Sequence, residues 1–138
     1  MADKLEMIVP GKPEFVGTVR IALAHAASNA GFDIEAIEDI KVAVSEACTN
    51  IVCHSHDNLD FTYSVVMELE ENKLTIIVKD TGVGFGVEDY EAPTPDEPRE
   101  GGLGIFIMRA LMDEVDIVSE PGVGTKISMT KHLRSKIA

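Results

Sequence analysis

The spacing of apolar residues changes along this chain from helical to alternating, and the change restricts the folds open to it. Ile34, Ile37, Ile40, Val44, Ala47, Cys48 and Ile51 recur every three or four residues. That is the mark of a helix with one buried face, and Asp33 is suited to cap it. The pattern predicts that this helix ends around His54 to Asp57. Phe61, Tyr63, Val65, Met67 and Leu69 then alternate with mostly polar residues. After a tight turn at Glu71-Asn72-Lys73, Leu74, Ile76, Val78 and Asp80 share one face of a second strand. An earlier helical stripe runs from Pro13 to Ala30 and stops at Gly31. The same reasoning predicts a short strand over Leu5–Val9, a helix over Leu103–Met112, and a terminal hairpin of Val115–Ser119 and Thr125–Lys131 around Pro121-Gly122. Strand pairs joined by tight turns imply mainly antiparallel neighbours. The expected architecture is α+β: a two-layer α/β sandwich with helices on one face of a mixed, mostly antiparallel sheet. At 138 residues, with no internal repeat and no linker, residues 1–138 form one domain.

Composition narrows the function. The net charge is −12, so a phosphate backbone is repelled and direct nucleic-acid binding is disfavoured. A bound nucleotide must bring its own cation. No apolar run is long enough to span a bilayer, and Met1-Ala2-Asp3-Lys4 lacks the pattern of a secretory signal, so a cytoplasmic location is expected. Cys48 and Cys53 lie five apart on one helix, a spacing that suits neither a redox pair nor a good disulfide. A metal cluster of Cys53, His54 and His56 is disfavoured for want of a second ligand group.

Four motifs carry the chemistry. On the second helix Glu46 and Asn50 are four apart and share a face, with His54 one turn on. An asparagine oxygen can ligate Mg²⁺, which needs only one or two protein oxygens beside substrate phosphates. A glutamate there can take a proton from an attacking hydroxyl. Asp80 points inward by strand parity, and a buried carboxylate needs a partner; an adenine amino group would serve. Gly82, Gly84 and Gly86 follow that strand, but an acidic loop rather than a helix comes next, so a dinucleotide fold is rejected. Gly101-Gly102-Leu103-Gly104 opens a helix, where backbone N–H groups make an anion site without a lysine. Thr125 shares inward parity with Ile127 and Met129, and its hydroxyl needs a bond that Asp80, a water or a purine would supply. Between the motifs, residues 87–100 carry Pro93, Pro95 and Pro98 among six carboxylates. A loop of this length in a compact domain is usually functional.

At these residues the chain resembles the GHKL ATPase superfamily. Glu46 and Asn50 look like its N-box, Asp80 to Gly84 its first glycine box, and Gly101 to Gly104 its second. The match is closer to the RsbW-like anti-sigma factors that are also serine-protein kinases. Val44-Ser45-Glu46-Ala47-Cys48-Thr49-Asn50 carries that likeness, with Gly101-Gly102-Leu103-Gly104-Ile105, Leu111-Met112-Asp113-Glu114-Val115 and Met129-Thr130-Lys131-His132-Leu133. It extends over roughly Leu5 to Leu133.

The resemblance implies a Bergerat ATP-binding fold with residues 87–100 as ATP lid, Mg-ATP as cofactor, and a homodimer. It also implies two alternative partners: a sigma factor, and a STAS-domain anti-anti-sigma factor phosphorylated on serine. On that resemblance Glu46 is the base and Asn50 the magnesium ligand. Asp80, Gly82 and Gly84 contact adenine, and Gly101, Gly102, Leu103 and Gly104 the phosphates. Thr125 supports the adenine site, and Arg20 contacts a partner. The alternatives are a histidine-kinase-like ATP-binding module of a split system, and a non-catalytic protein that sequesters a partner.

Overall fold

The computed structural model describes residues 3–54, 61–80, 100–120 and 124–134, with only the backbone at 100–102 and at His54. Strand β1 (Asp3–Pro10) leads through a short 3₁₀ turn at Pro13–Phe15 into α1 (Val16–Ala30) and α2 (Ile34–His54). Strands β2 (Thr62–Glu70) and β3 (Lys73–Asp80) follow, then α3 (Glu100–Leu111), β4 (Glu114–Glu120) and β5 (Gly124–His132). Of the expected lid at 87–100, residues 87–99 lie outside the described residues, as does the glycine box beyond Asp80, and Glu100 opens α3.

Local chemistry sets the boundaries. Gly31 ends α1 at φ 106°, in the left-handed region, and its N–H reaches the carbonyls of Ala27 and Ser28. The carboxylate of Asp33 accepts the N–H of Ala36 at 2.8 Å and caps α2 as expected. Glu71 and Asn72 both sit at positive φ, 34° and 44°, the conformation that closes a two-residue hairpin between β2 and β3. Helix α3 starts at Glu100, three residues earlier than expected, so its glycines lie inside the first turn.

The five strands order as β1-β2-β3-β5-β4, and every neighbouring pair is antiparallel. The mixed sheet expected from sequence is therefore wholly antiparallel. The crossover through α3 does join two parallel strands, β3 and β4, but β5 folds back between them and takes both pairings. The three helices form one layer, with α2 in the middle, packed on α1 and α3 and lying over β3 and β5. Ile40, Val44, Ala47, Cys48 and Ile51 of α2 meet Leu74, Ile76, Val78, Ile127 and Met129 in a fully buried core. Among the described residues no helix is long and apolar enough to cross a membrane.

Polar ties fasten the far end of the sandwich. Lys131 donates to the Leu111 carbonyl at 2.6 Å and to Asp39 at 3.3 Å, which closes the C-terminus of α3 and joins it to α2. Asp113 accepts the His132 backbone N–H at 2.7 Å and lies 3.4 Å from Arg134. That backbone bond holds the Asp113 carboxyl below its usual range, against burial, with Lys131 and Arg134 assisting. A carboxyl lowered in the folded state contributes stability above its unfolded pKa, and the contribution is lost as pH falls through the lowered value. Asp113→Asn should therefore melt lower than the parent at pH 7. The gap should close as pH drops below about 4, the ordinary carboxylate value. Thermal melts of both chains across that range check it.

Candidate active site

The site starts on α2, whose core face leaves one edge free. Glu46 is half-buried on that edge, and Asn50, four residues on, is 4% exposed. Neither amide atom of Asn50 has a hydrogen-bond partner among the described residues. A buried amide left this way costs about 1–3 kcal/mol, so the fold tolerates a polar group that packing alone would exclude. An asparagine oxygen held dry and unbonded is what a divalent cation on a phosphate ligand requires of a protein. The residues fit the magnesium that the resemblance implies.

Helix α3 meets this edge with its glycines. A Cβ at Gly104 would lie 2.9 Å from Glu46 Oε2, so glycine lets α3 stand against the Glu46 carboxylate without turning it aside. Gly101 and Gly102 lie in the first turn, whose N–H groups have no partner within the helix and can accept an anion. Leu103 is 46% exposed, so what it presents to that turn is backbone. Ile105, Met108 and Met112 seat the rest of α3 in the core.

The second half of the site is the end of the sheet under α2. Tyr63, Asp80 and Thr125 are neighbours across β2, β3 and β5, and Ser119 faces Thr125 from β4. All four are 2–3% exposed. Asp80 is buried on the inward face, as its parity predicted, and it engages an interaction within the chain. Its burial alone therefore does not demand a ligand. The bond expected of Thr125 is also made inside the protein: its hydroxyl lies 2.7 Å from that of Ser119. A cleft of about 340 Å³ opens beside these residues. Asp80, Gly124 and Thr125 line it together with Lys79, Val118, Glu120 and Lys126, which alternate with the inward-facing residues, so it lies at the end of the sheet and opens toward its other face.

The structure thus brings Glu46 and Gly104 together at the α2–α3 contact, with Asn50 one turn on along α2, and Asp80 and Thr125 together at the sheet end. Gly82 and Gly84 lie outside the described residues. Arg20 is exposed on α1, with only a 3.5 Å approach to the Ser45 hydroxyl. Sequence reasoning missed Ser119, although Val115, Ile117 and Ser119 share parity on β4. It also missed the polar tip of Tyr63. That hydroxyl lies buried against the Cys48 thiol in a geometry too poor to count as a bond. Burial drives both groups toward their neutral forms: Tyr63 is raised, and Cys48 is pushed up to about 11, with Tyr63 partly offsetting it. Cys48 is a protonated core residue at neutral pH, without the thiolate that nucleophilic chemistry needs.

The pattern of the histidine kinase-like ATPase domain matches residues 9–131. The serine-protein kinase RsbW of Bacillus licheniformis is 43% identical over 142 residues, covering 96% of this chain and 87% of that protein. The RsbW of Bacillus subtilis is 39% identical, covering 98% and 89%. The chain belongs to the RsbW branch of the histidine kinase-like ATPases. It is an anti-sigma serine-protein kinase that uses ATP. RsbW of Oceanobacillus iheyensis is 42% identical, covering 95% and 87%. The solved RsbU and RsbW domains of a Mycobacterium tuberculosis protein share the fold at a TM-score of 0.72 and 24% identity, over 95% of this chain and 32% of that one. A histidine kinase domain from a blue-light activated kinase of Erythrobacter litoralis also shares it, at 0.60 and 21%, over 90% and 61%. The Bergerat reading of the fold stands with these likenesses.

The contact at Gly104 separates stability from activity. In Gly104→Ala the clash falls on the flexible tip of Glu46, which can swing aside. Alanine is also favoured over glycine in a helix by about 1 kcal/mol. The variant should fold and melt no lower than the parent. Its phosphoryl transfer should fall by about a hundredfold, the usual cost of a misplaced catalytic group. Melting curves and ATP-dependent transfer rates on the same preparation check both halves.

Proposed function

We propose that this kinase binds Mg-ATP between α2, the first turn of α3 and the sheet end carrying Asp80 and Thr125. It holds a sigma factor away from RNA polymerase, and it phosphorylates a serine on a STAS-domain anti-anti-sigma factor. The observation that carries the reading is Asn50: a dry, unbonded amide one turn from a half-buried glutamate. In this reading Asn50 Oδ1 ligates magnesium, which when bound neutralises triphosphate charge. Glu46 takes the proton of the serine hydroxyl as its oxygen bonds to the γ-phosphorus and the bond to the bridging oxygen breaks, releasing ADP. The N–H groups of Gly101 and Gly102 hold phosphate oxygens, while those of Leu103 and Gly104, a turn inside α3, bond back to the helix; Asp80 with Thr125 receives the adenine, joined by Gly82 and Gly84. Exposed Arg20 contacts a protein partner, and the active unit is a homodimer. The relatives at about 40% identity are named serine-protein kinases, which favours a serine acceptor over the histidine of a split sensor kinase.

Incubation with γ-labelled ATP and a STAS-domain partner tests the proposal. Label on a partner serine supports it. Label on the kinase's own histidine, or no label, overturns it in favour of a sensor-kinase module or a binding protein.

Two substitutions sharpen the roles. Glu46→Gln should keep ATP binding and lose transfer by about 10²–10⁴-fold, the range for removing a general base. Single-turnover rates beside equilibrium ATP binding check it. Asn50→Leu should behave unlike an ordinary core change. It replaces an unsatisfied amide by an apolar group of similar size, so folding stability should hold or rise. Magnesium-dependent ATP binding should be lost. Urea melts and ATP titrations with and without Mg²⁺ decide it; intact Mg-ATP binding would remove Asn50 from the site.

A further inference from the structure

We infer that Ser119 is a positioning residue for recognition of the base, acting through Thr125. The inference rests on the reading above that Asp80 and Thr125 receive a purine. The two hydroxyls lie 2.7 Å apart and both residues are 3% exposed, so water scarcely competes for their bond. They sit directly opposite each other on β4 and β5, and Thr125 in turn sits opposite Asp80. Three polar side chains therefore run in line across three strands, with Ser119 at the end away from β2.

The chemistry of a hydroxyl gives this line a purpose. A free Thr hydroxyl rotates, and it can donate or accept as its neighbour requires. Beside a purine such a rotor answers a 6-amino group with an acceptor ring nitrogen, or a 6-oxo group with a ring N–H, almost equally. With Ser119 as the donor of that bond, the Thr125 oxygen has accepted and its own proton is left for the base, which suits the acceptor ring nitrogen beside a 6-amino group. Asp80, when ionised, only accepts, so it favours the exocyclic amino group. The hydroxyl pair extends that selection to the neighbouring part of the ring. Ser119 needs no contact with nucleotide for this role.

Binding constants of the full-length chain for Mg-ATP and Mg-ITP test the inference, because the two nucleotides differ in the pattern described. The parent should prefer ATP. Ser119→Ala should narrow that preference about three- to tenfold, the worth of one neutral hydrogen bond. Ser119→Cys, which keeps the shape with a weaker bond, should narrow it less, and it carries the test if the alanine variant does not fold. An unchanged preference overturns the inference. So does an equal loss for both nucleotides, which marks a structural hydroxyl only. Asp80→Asn in the same assay separates the two levels. It should weaken ATP about ten- to a hundredfold, as loss of a charge-assisted bond does. If it does not, the base site itself is misplaced; if it does while Ser119→Ala leaves the preference intact, only the role of Ser119 falls.

Discussion

Helix α2 has to satisfy two demands with one set of side chains, and the rest of the structure follows from how it does so. Its core face is completely buried on β3 and β5, at Ile40, Val44, Ala47, Cys48 and Ile51. The adjoining edge, at Glu46 and Asn50, must stay close enough to the core to be rigid and remain available for chemistry. The fold accepts an unsatisfied amide on that edge, and the bare backbone at residue 104 leaves the Glu46 carboxylate where it stands. An apolar residue at 50 would leave no amide unsatisfied, and alanine at 104 would be the better helix former. The chain keeps the less comfortable choice at both positions, and such local conflicts concentrate at functional sites.

Much of this was legible in the sequence because burial and periodicity carry the same information. The spacing of Ile34 to Ile51 located α2, and Asp33 marked its start. The alternation from Tyr63 to Asp80 located β2 and β3 and turned Asp80 inward, and the parity shared with Ile127 and Met129 did the same for Thr125. What stayed hidden depends on which strands become neighbours. That Thr125 bonds to Ser119 follows from the β4–β5 register, and no local pattern states a register. The same is true of the sheet: a helix between two strands suggests a parallel pair, and nothing local says that β5 will separate them. The approach of Gly104 to Glu46 joins residues far apart in the chain, so the glycine box read only as an anion-binding turn.

The sheet end is unusual for a small core. Four polar side chains, Tyr63, Asp80, Thr125 and Ser119, stand in one row across the strands at near-complete burial. The row closes the core at the proposed base site, where a purely apolar layer would offer a base only shape. Satisfied polar groups in a low-dielectric setting fix direction, because each bond constrains the next. Tyr63, whose hydroxyl meets only a thiol, is the imperfect member, and burial keeps it and Cys48 neutral.

The two ends of α3 differ in how firmly they are held. The C-terminal end is tied by Lys131 to the Leu111 carbonyl, and the Met112 N–H to Met108 and the Asp113 N–H to Thr130 continue the fastening. The opposite end begins with three glycines in five residues, each among the weakest helix formers. Such a helix frays from one side only. The end that frays is the end that meets Glu46, so the ordering of that turn and the alignment of the carboxylate are one event rather than two. On the proposed reading, a ligand that ends the fraying would also complete the catalytic geometry, and the free energy of ordering the turn would be drawn from its binding.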